Sequence, residues 1–155
     1  MRPATILIID DHAAVRTLLA RVLEDAGYQV WEAANGREGL ERFRVHPVDL
    51  VITDLEMPEM NGLEVIVELI RLCVDVRVIA MSGLSGEELQ QATLIGARRT
   101  LPKPLDLQAL LQVVHSELQQ LPREWGAFTP TVMAQDASVQ PRSSGPNEGV
   151  SPPPG

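Results

Sequence analysis

The chain has 155 residues, of which 45% are apolar and only 3% aromatic, so its length suits one domain with an aliphatic core. The formal net charge of −8 argues against nonspecific nucleic-acid binding, which requires a basic surface, and we expect no direct DNA binding. The single cysteine, Cys73, cannot form an internal disulfide and fits a cytoplasmic location, while no apolar run reaches the ~18 residues of a membrane span.

Short apolar runs alternate with amphipathic segments along most of the chain. The runs have the length and β-branched content of buried parallel strands. The segments carry apolar residues at i, i+3, i+4 and i+7, which is typical of helices. In chain order, the predicted elements are strand 4–9, helix 13–26, strand 28–33, helix 35–46, strand 48–53, helix 63–73, strand 76–81, helix 85–95, strand 98–101 and helix 107–118.

Residues that typically begin or end helices support several of these boundaries. Gly27 and Gly96 follow the first and fourth predicted helices, as glycine commonly does just past a helix C-terminus. Ser85 and Glu88 have the spacing of a capping box at the start of the fourth helix. Asp106 is a candidate N-cap for the fifth helix.

Five strand-then-helix units in succession predict an α/β fold with a parallel sheet covered by helices on both faces. Because crossover connections are right-handed, the chain should wind outward in both directions from the first strand. We therefore expect a flavodoxin-like doubly wound (βα)5 domain with strand order 2-1-3-4-5.

The composition changes after residue 121, and we expect the folded domain to span residues 1–121. Seven of the twelve prolines lie in residues 122–155, together with many Ser and Gly residues, and such a segment buries too little apolar surface to fold. We therefore predict a disordered C-terminal tail over 122–155. Its two aromatic residues, Trp125 and Phe128, either dock loosely on the domain or mark the start of the tail, or they form a short partner-binding motif.

Polar side chains stand at the ends of four of the five predicted strands. The first strand ends at Asp10 and Asp11, the third at Asp54, the fourth at Ser82, and the fifth just before Lys103. Parallel strands end at one edge of the sheet, where open α/β sheets bind ligands, so we expect these residues in one crevice. Each residue taken alone is more often a helix cap, turn or surface residue, but their coincidence at four strand ends is improbable by chance.

This set of side chains suits phosphoryl chemistry on a carboxylate. Three neighbouring carboxylates repel one another unless a cation is bound, and Mg²⁺ commonly uses one or two carboxylates together with phosphate oxygens. Lys103 offers a positive charge to a phosphate oxygen, and Ser82 offers a rotatable hydroxyl donor. Asp54 is then available as a nucleophile, since carboxylates form aspartyl-phosphate intermediates.

From Thr5 to about Leu121, the chain resembles the receiver domain of two-component response regulators. The motifs that carry the resemblance are Ile8-Ile9-Asp10-Asp11, Asp54-Leu55-Glu56-Met57-Pro58-Glu59-Met60-Asn61-Gly62, Met81-Ser82-Gly83, Gly96-Ala97 and Lys103-Pro104. Each motif alone is weak evidence, whereas their combination is highly specific.

The resemblance implies a role for each residue of the crevice. Asp54 would accept a phosphoryl group from a phosphohistidine on a sensor histidine kinase or a histidine phosphotransfer protein. Asp11, Asp54 and the backbone carbonyl of Glu56 would bind Mg²⁺ directly, with Asp10 acting through water. Lys103 would contact a phosphoryl oxygen.

The resemblance also implies how phosphorylation would be transmitted. Ser82 would move to the phosphoryl group and shift the loop before the fourth helix, which is a population shift between two packings. The peptide bond before Pro104 would be cis. Receiver domains usually have Tyr or Phe where this chain has Thr100, which lacks an aromatic ring to turn inward. Leu105 is a milder departure, and His12 and Arg16 are interpreted as surface or capping residues.

The main hypothesis is a single-domain response regulator, a signalling phosphoprotein rather than an enzyme, that passes its signal to an unidentified downstream protein. One alternative is a receiver-shaped scaffold that works without phosphorylation, which Thr100 keeps open. Another is a phosphatase of the haloacid-dehalogenase class. That class requires Asp-x-Asp at the first strand, where this chain has Asp10-Asp11-His12.

Overall fold

A computed structural model of the chain describes residues 2–83 and 86–120. Within these residues, five strands alternate with five helices. In chain order, they are β1 (Thr5–Ile9), α1 (Ala13–Asp25), β2 (Gln29–Ala33), α2 (Gly36–Val45), β3 (Leu50–Asp54), α3 (Gly62–Leu72), β4 (Val78–Ser82), α4 (Gly86–Ile95), β5 (Arg99–Pro102) and α5 (Leu107–Gln119). The predicted tail, with Trp125 and Phe128, lies outside the described residues, so the domain boundary at residue 121 stays a prediction.

The strands form one parallel sheet in the order β2-β1-β3-β4-β5, which confirms the flavodoxin-like (βα)5 prediction. The register pairs Ile9 with Thr53 and Asp54 with Met81. Because the strands are parallel and in step, the ends of β1, β3 and β4 lie at the same edge of the sheet.

Alternating residues of the central strands belong to two separate core clusters, one on each face of the sheet. In β1, Leu7 and Ile9 pack into the cluster that includes residues of α2, α3 and α4, whereas Ile6 and Ile8 pack into the cluster that includes residues of α1 and α5. Every residue of β1, β3 and β4 is buried. This two-sided burial explains why these strands are continuous apolar runs in the sequence.

The predicted boundaries of β4 were wrong, since the strand spans Val78–Ser82 rather than residues 76–81. Val76 instead closes a turn, with its amide donating to the Cys73 carbonyl at 3.0 Å. Strand β5 is likewise one residue later than predicted and ends at Pro102. The shift places Ser82 inside the sheet as the last residue of β4, where it pairs with Pro102.

The helix ends agree with the sequence signals at Gly27, Gly96 and Asp106. Gly27 and Gly96 have φ of 101° and 130°, a conformation that favours glycine just past a helix. The Asp106 side chain caps α5. The N-cap residue of α1 is His12, which makes no side-chain capping hydrogen bond. Ser85 of the proposed capping box lies outside the described residues.

A buried carboxylate lies near the opposite edge of the sheet and was not predicted from the sequence. Glu117 of α5 contacts Arg77 at 3.6 Å, Arg98 at 3.8 Å and Arg99 at 3.5 Å. Arg77 also donates to the Gln120 carbonyl at 3.0 Å. The cluster ties the end of α5 to β4 and β5. No helix within 2–83 or 86–120 is long and apolar enough to cross a membrane.

Gly62, the first residue of α3, brings the loop after β3 back against the end of that strand. Its amide donates to the Leu55 carbonyl at 3.1 Å. A Cβ atom at position 62 would lie 2.2 Å from the Asp54 carbonyl oxygen and 2.7 Å from the Leu55 Cα. Both atoms belong to the backbone, so an added methyl group could be accommodated only by moving the loop.

We predict that Gly62→Ala destabilises the domain by about 3 kcal/mol, because overpacking against backbone cannot be relieved by a rotamer change. Gly86→Ala is the control, since a Cβ there would meet no side chain of the described residues within 4 Å and alanine favours helix. Urea unfolding of both variants measures the difference. Equal midpoints for the two variants would contradict the steric explanation.

Candidate functional site

Asp54 is the last residue of β3 and is only 1% exposed. The flanking strands hold it in place, since the amide of the next residue, Leu55, donates to the Met81 carbonyl of β4 at 2.9 Å. One carboxylate oxygen, Oδ1, lies 3.2 Å from the Lys103 ammonium. The other oxygen, Oδ2, is buried without a hydrogen-bond partner in the described structure. A buried, half-satisfied carboxylate is therefore the centre of this edge of the sheet.

Asp10 provides the second buried carboxylate and is fully inaccessible. Its Oδ2 lies 3.3 Å from the same Lys103 ammonium, so the lysine bridges Asp10 and Asp54. Its Oδ1 accepts from the His12 amide at 2.8 Å. The Asp10 carbonyl accepts from Arg16 at 2.8 Å. Arg16, which was interpreted as a surface or capping residue, therefore helps to fix the backbone of the site.

The arrangement of donors fits a hard divalent cation. Ligand atoms from Asp10, Asp11, His12 and Asp54 all lie within 4.8 Å of one another. Asp54 Oδ2 is buried without a hydrogen bond in the residues that the structure describes, and Asp11 Oδ1 is buried with His12 Nδ1 3.3 Å away. Such oxygens are costly unless a cation or water satisfies them, and oxygen ligands are what Mg²⁺ prefers.

His12 lies closer to the acids than a plain surface role requires. Its side chain is 65% exposed, yet its Nδ1 is 3.3 Å from a carboxylate oxygen of Asp10 and 3.3 Å from one of Asp11. As the N-cap residue of α1, it is carried there by the turn that follows Asp11. Sequence spacing did not reveal this contact, because it depends on the direction in which α1 leaves the sheet.

The environment shifts the pKa of both Asp54 and Lys103. Burial is the main cause that raises the pKa of Asp54 to about 6, and the negative charge of Asp10 adds to it, while Lys103 opposes the shift. Burial alone would lower the pKa of Lys103, but the charges of Asp10 and Asp54 outweigh it and raise that pKa above its usual value. Lys103 is thus charged at neutral pH, and Asp54 is unusually easy to protonate.

Ser82 is at the same edge, but its hydroxyl is directed to Glu56 rather than to Asp54. The Ser82 Oγ donates to Glu56 Oε2, and the Gly83 amide donates to Glu56 Oε1 at 3.0 Å. The resemblance gave Glu56 a role only through its backbone carbonyl. The side-chain contact joins residues 26 positions apart, and no local sequence signal could have predicted it.

The segment after β5 has the expected geometry. The Lys103–Pro104 peptide bond is cis. The Lys103 amide donates to the Ser82 carbonyl at 2.8 Å, which fixes the lysine beside the end of β4. Thr100 lies within β5, is half-buried, and pairs with Ala80. The structure thus brings all five predicted side chains, Asp10, Asp11, Asp54, Ser82 and Lys103, to one edge.

We predict that Asp54→Asn stabilises the metal-free protein increasingly as pH rises. Asp54 has a higher pKa in the folded state than its ordinary value of 3.8, so its contribution to stability is present at low pH and is lost as pH rises through about 6. Asparagine does not ionise. Two pKa units correspond to about 3 kcal/mol. We therefore expect the free energy of unfolding of Asp54→Asn, relative to that of the parent protein, to be higher by about this amount at pH 7.5 than at pH 4.

Urea unfolding in EDTA at several pH values measures this gain. Adding Mg²⁺ should reduce it, because a bound cation favours the ionised carboxylate. A difference between Asp54→Asn and the parent protein that is the same at pH 4 and pH 7.5 would contradict the prediction.

Comparisons with known proteins point to one family. The family model for the response regulator receiver domain matches residues 6–115. Chemotaxis protein CheY of Thermotoga maritima is 32% identical over 112 residues, which cover 71% of this chain and 93% of that protein.

Solved structures give the same result. A CheY-like receiver domain protein from Methanospirillum hungatei superimposes with a TM-score of 0.73 at 28% identity, covering 76% of this chain and 95% of that one. A complex of CheX and CheY with BeF3 and Mg²⁺ from Borrelia burgdorferi matches with a TM-score of 0.71 at 28% identity, covering 74% and 89% of the two chains.

Proposed function

The chain belongs to the family of response regulator receiver domains, and on that premise we propose that it accepts a phosphoryl group on Asp54 in a Mg²⁺-dependent reaction. The observation that carries the proposal is the Lys103 ammonium, 3.2 Å from Asp54 and 3.3 Å from Asp10, beside a buried Asp54 oxygen without a hydrogen bond. This is a carboxylate held next to a fixed positive charge with one oxygen available for reaction.

The transfer step conserves atoms and charge. An oxygen of Asp54 attacks the phosphorus of a phosphohistidine, a new P–O bond forms, and the P–N bond breaks with its electron pair returning to the imidazole. Asp11, Asp54 and the Glu56 carbonyl would hold Mg²⁺, with Asp10 acting through water, and the ion would neutralise charge on the phosphoryl oxygens. The complex of CheY with BeF3 and Mg²⁺ supports this choice of metal by similarity.

Lys103 and Ser82 have different roles in this proposal. Lys103 contacts a phosphoryl oxygen, and its raised pKa keeps it positively charged at neutral pH. Ser82 donates its hydroxyl to another phosphoryl oxygen after transfer. Because Ser82 ends β4, its movement is passed to the segment that leads into α4. Contacts formed only in the phosphorylated state would thereby shift the population toward a second packing.

We assign the chain a signalling role rather than turnover of a substrate. Sensor histidine kinases or histidine phosphotransfer proteins are the proposed donors, and a separate downstream protein is the proposed receiver of the signal. The similarity to a chemotaxis protein over 93% of that protein's length supports a signalling role. The cytoplasm, where a phosphohistidine donor and a reduced Cys73 coexist, is the proposed location.

A receiver-shaped scaffold that works without phosphate is the second candidate, and Thr100 is the observation that favours it. At this position in β5, a threonine cannot replace an aromatic ring that turns between buried and exposed positions. The intact set of Asp10, Asp54 and Lys103 favours phosphorylation over this candidate.

We predict that Asp54→Asn abolishes labelling by a small-molecule phosphodonor such as acetyl phosphate in the presence of Mg²⁺, because the attacking oxygen is lost. Glu59→Gln, which removes one charge from an exposed position in the same loop, should leave labelling intact. Labelling is measured by intact-protein mass spectrometry. Persistent labelling of the Asn variant would exclude Asp54 as the acceptor.

We further predict that Thr100→Tyr leaves labelling unchanged, because Thr100 contributes no atom to the acceptor site. Binding of BeF3⁻ with Mg²⁺, followed by NMR at amides of α4 in the parent protein, tests whether this surface responds with threonine in place. Shifts confined to the acceptor loop, with none in α4, would favour the scaffold candidate.

A further inference from the structure

The Glu56 carboxylate links the loop after β3 to the end of β4. Both of its oxygens are occupied, since Oε2 accepts from the Ser82 hydroxyl and Oε1 accepts from the Gly83 amide at 3.0 Å. The Glu56 amide in turn approaches Asp54 Oδ1 at 3.4 Å. One side chain therefore connects the proposed acceptor loop to the segment that leads into α4.

The backbone on the other side of Ser82 is fixed independently. The Ser82 carbonyl accepts from the Lys103 amide at 2.8 Å, as part of the pairing between β4 and β5. Ser82 itself is 1% exposed. A change at this position therefore involves mainly the Ser82 side chain and Gly83, which are the groups that Glu56 binds.

The proposed function requires the Ser82 hydroxyl to donate to a phosphoryl oxygen. A serine hydroxyl has a single hydrogen, so it cannot donate fully to Glu56 and to a phosphoryl oxygen at once. Donation to the phosphoryl group must break the contact with Glu56. The two acceptors, a carboxylate and a phosphoryl group, thus compete for one donor.

We propose that Glu56 is a positioning residue that holds Ser82 and Gly83 in the unphosphorylated arrangement and opposes their movement toward phosphorylated Asp54. This inference rests on the proposed function of Asp54. Glu56 acts through Ser82. The stronger its hydrogen bond with the Ser82 hydroxyl, the more favourable the contact with the phosphoryl group must be before Ser82 and Gly83 move. Hydrogen bonds to a charged carboxylate are stronger than those between neutral groups, which makes this acceptor an effective competitor.

The first test uses the unphosphorylated, metal-free protein and follows hydrogen exchange of the Gly83 amide. Glu56→Ala should accelerate this exchange about tenfold, which is the size expected for loss of a hydrogen bond to a charged group. Glu56→Gln should have a smaller effect, because its amide oxygen still accepts one bond. Glu59→Gln is the charge-matched control and should change nothing. Unchanged exchange in Glu56→Ala would overturn the proposal.

The second test titrates BeF3⁻ in the presence of Mg²⁺ as a phosphoryl mimic. Glu56→Ala should bind BeF3⁻ about tenfold more tightly than the parent protein, because the hydroxyl no longer has to leave a charged acceptor. In a Ser82→Ala background, Glu56→Ala should increase the affinity for BeF3⁻ by less than about threefold. A full tenfold increase in that background would indicate charge repulsion by Glu56 and would overturn the positioning role.

The outcomes separate this inference from the proposed function. If the parent protein binds BeF3⁻ but Glu56→Ala binds it no more tightly, the role of Glu56 is wrong while the proposed function stands. If the parent protein does not bind BeF3⁻ and is not labelled on Asp54, both the proposed function and the proposed role of Glu56 are wrong.

Discussion

The site depends on two buried carboxylates that share one ammonium group. Asp10 follows β1, Asp54 ends the adjacent strand β3, and both are almost inaccessible to solvent, so their charges are costly without a nearby positive charge. Lys103 supplies that charge to both. The pKa of Asp54 is nevertheless raised to about 6, so the lysine offsets only part of the cost of burial. A divalent cation would offset the rest, which is why the site suits Mg²⁺.

The surrounding fold serves mainly to maintain this arrangement. The in-step register of β1, β3 and β4 brings the acids and Ser82 to one edge, and the Lys103 amide ties β5 to the end of β4. Gly62 lets the loop after β3 return against the backbone of Asp54. Near the opposite edge, Glu117 and three arginines tie α5 to β4 and β5. The flanking strands therefore leave little freedom in the backbone around Asp54.

The contacts that the sequence did not predict are those that join distant segments through side chains. His12 reaches two acids because of the direction of α1, and Glu117 contacts three arginines from two distant segments of the chain. Glu56 was assigned a role only through its carbonyl, yet its carboxylate binds Ser82 and Gly83. The end of β4 also differs from the prediction by one residue. Because Ser82 is the last residue of the strand, its backbone is held by pairing with β5.

The sequence by itself determined the order of strands and helices, the parallel sheet, and the identity of the five polar side chains at its edge. These follow from local periodicity and from the rule that parallel strands end together, so they need no knowledge of side-chain contacts. Only the tertiary structure decided which partner each side chain has. Lys103 bridges two acids, and Ser82 is bound to Glu56, because strand register and loop return bring together residues that are far apart in the chain.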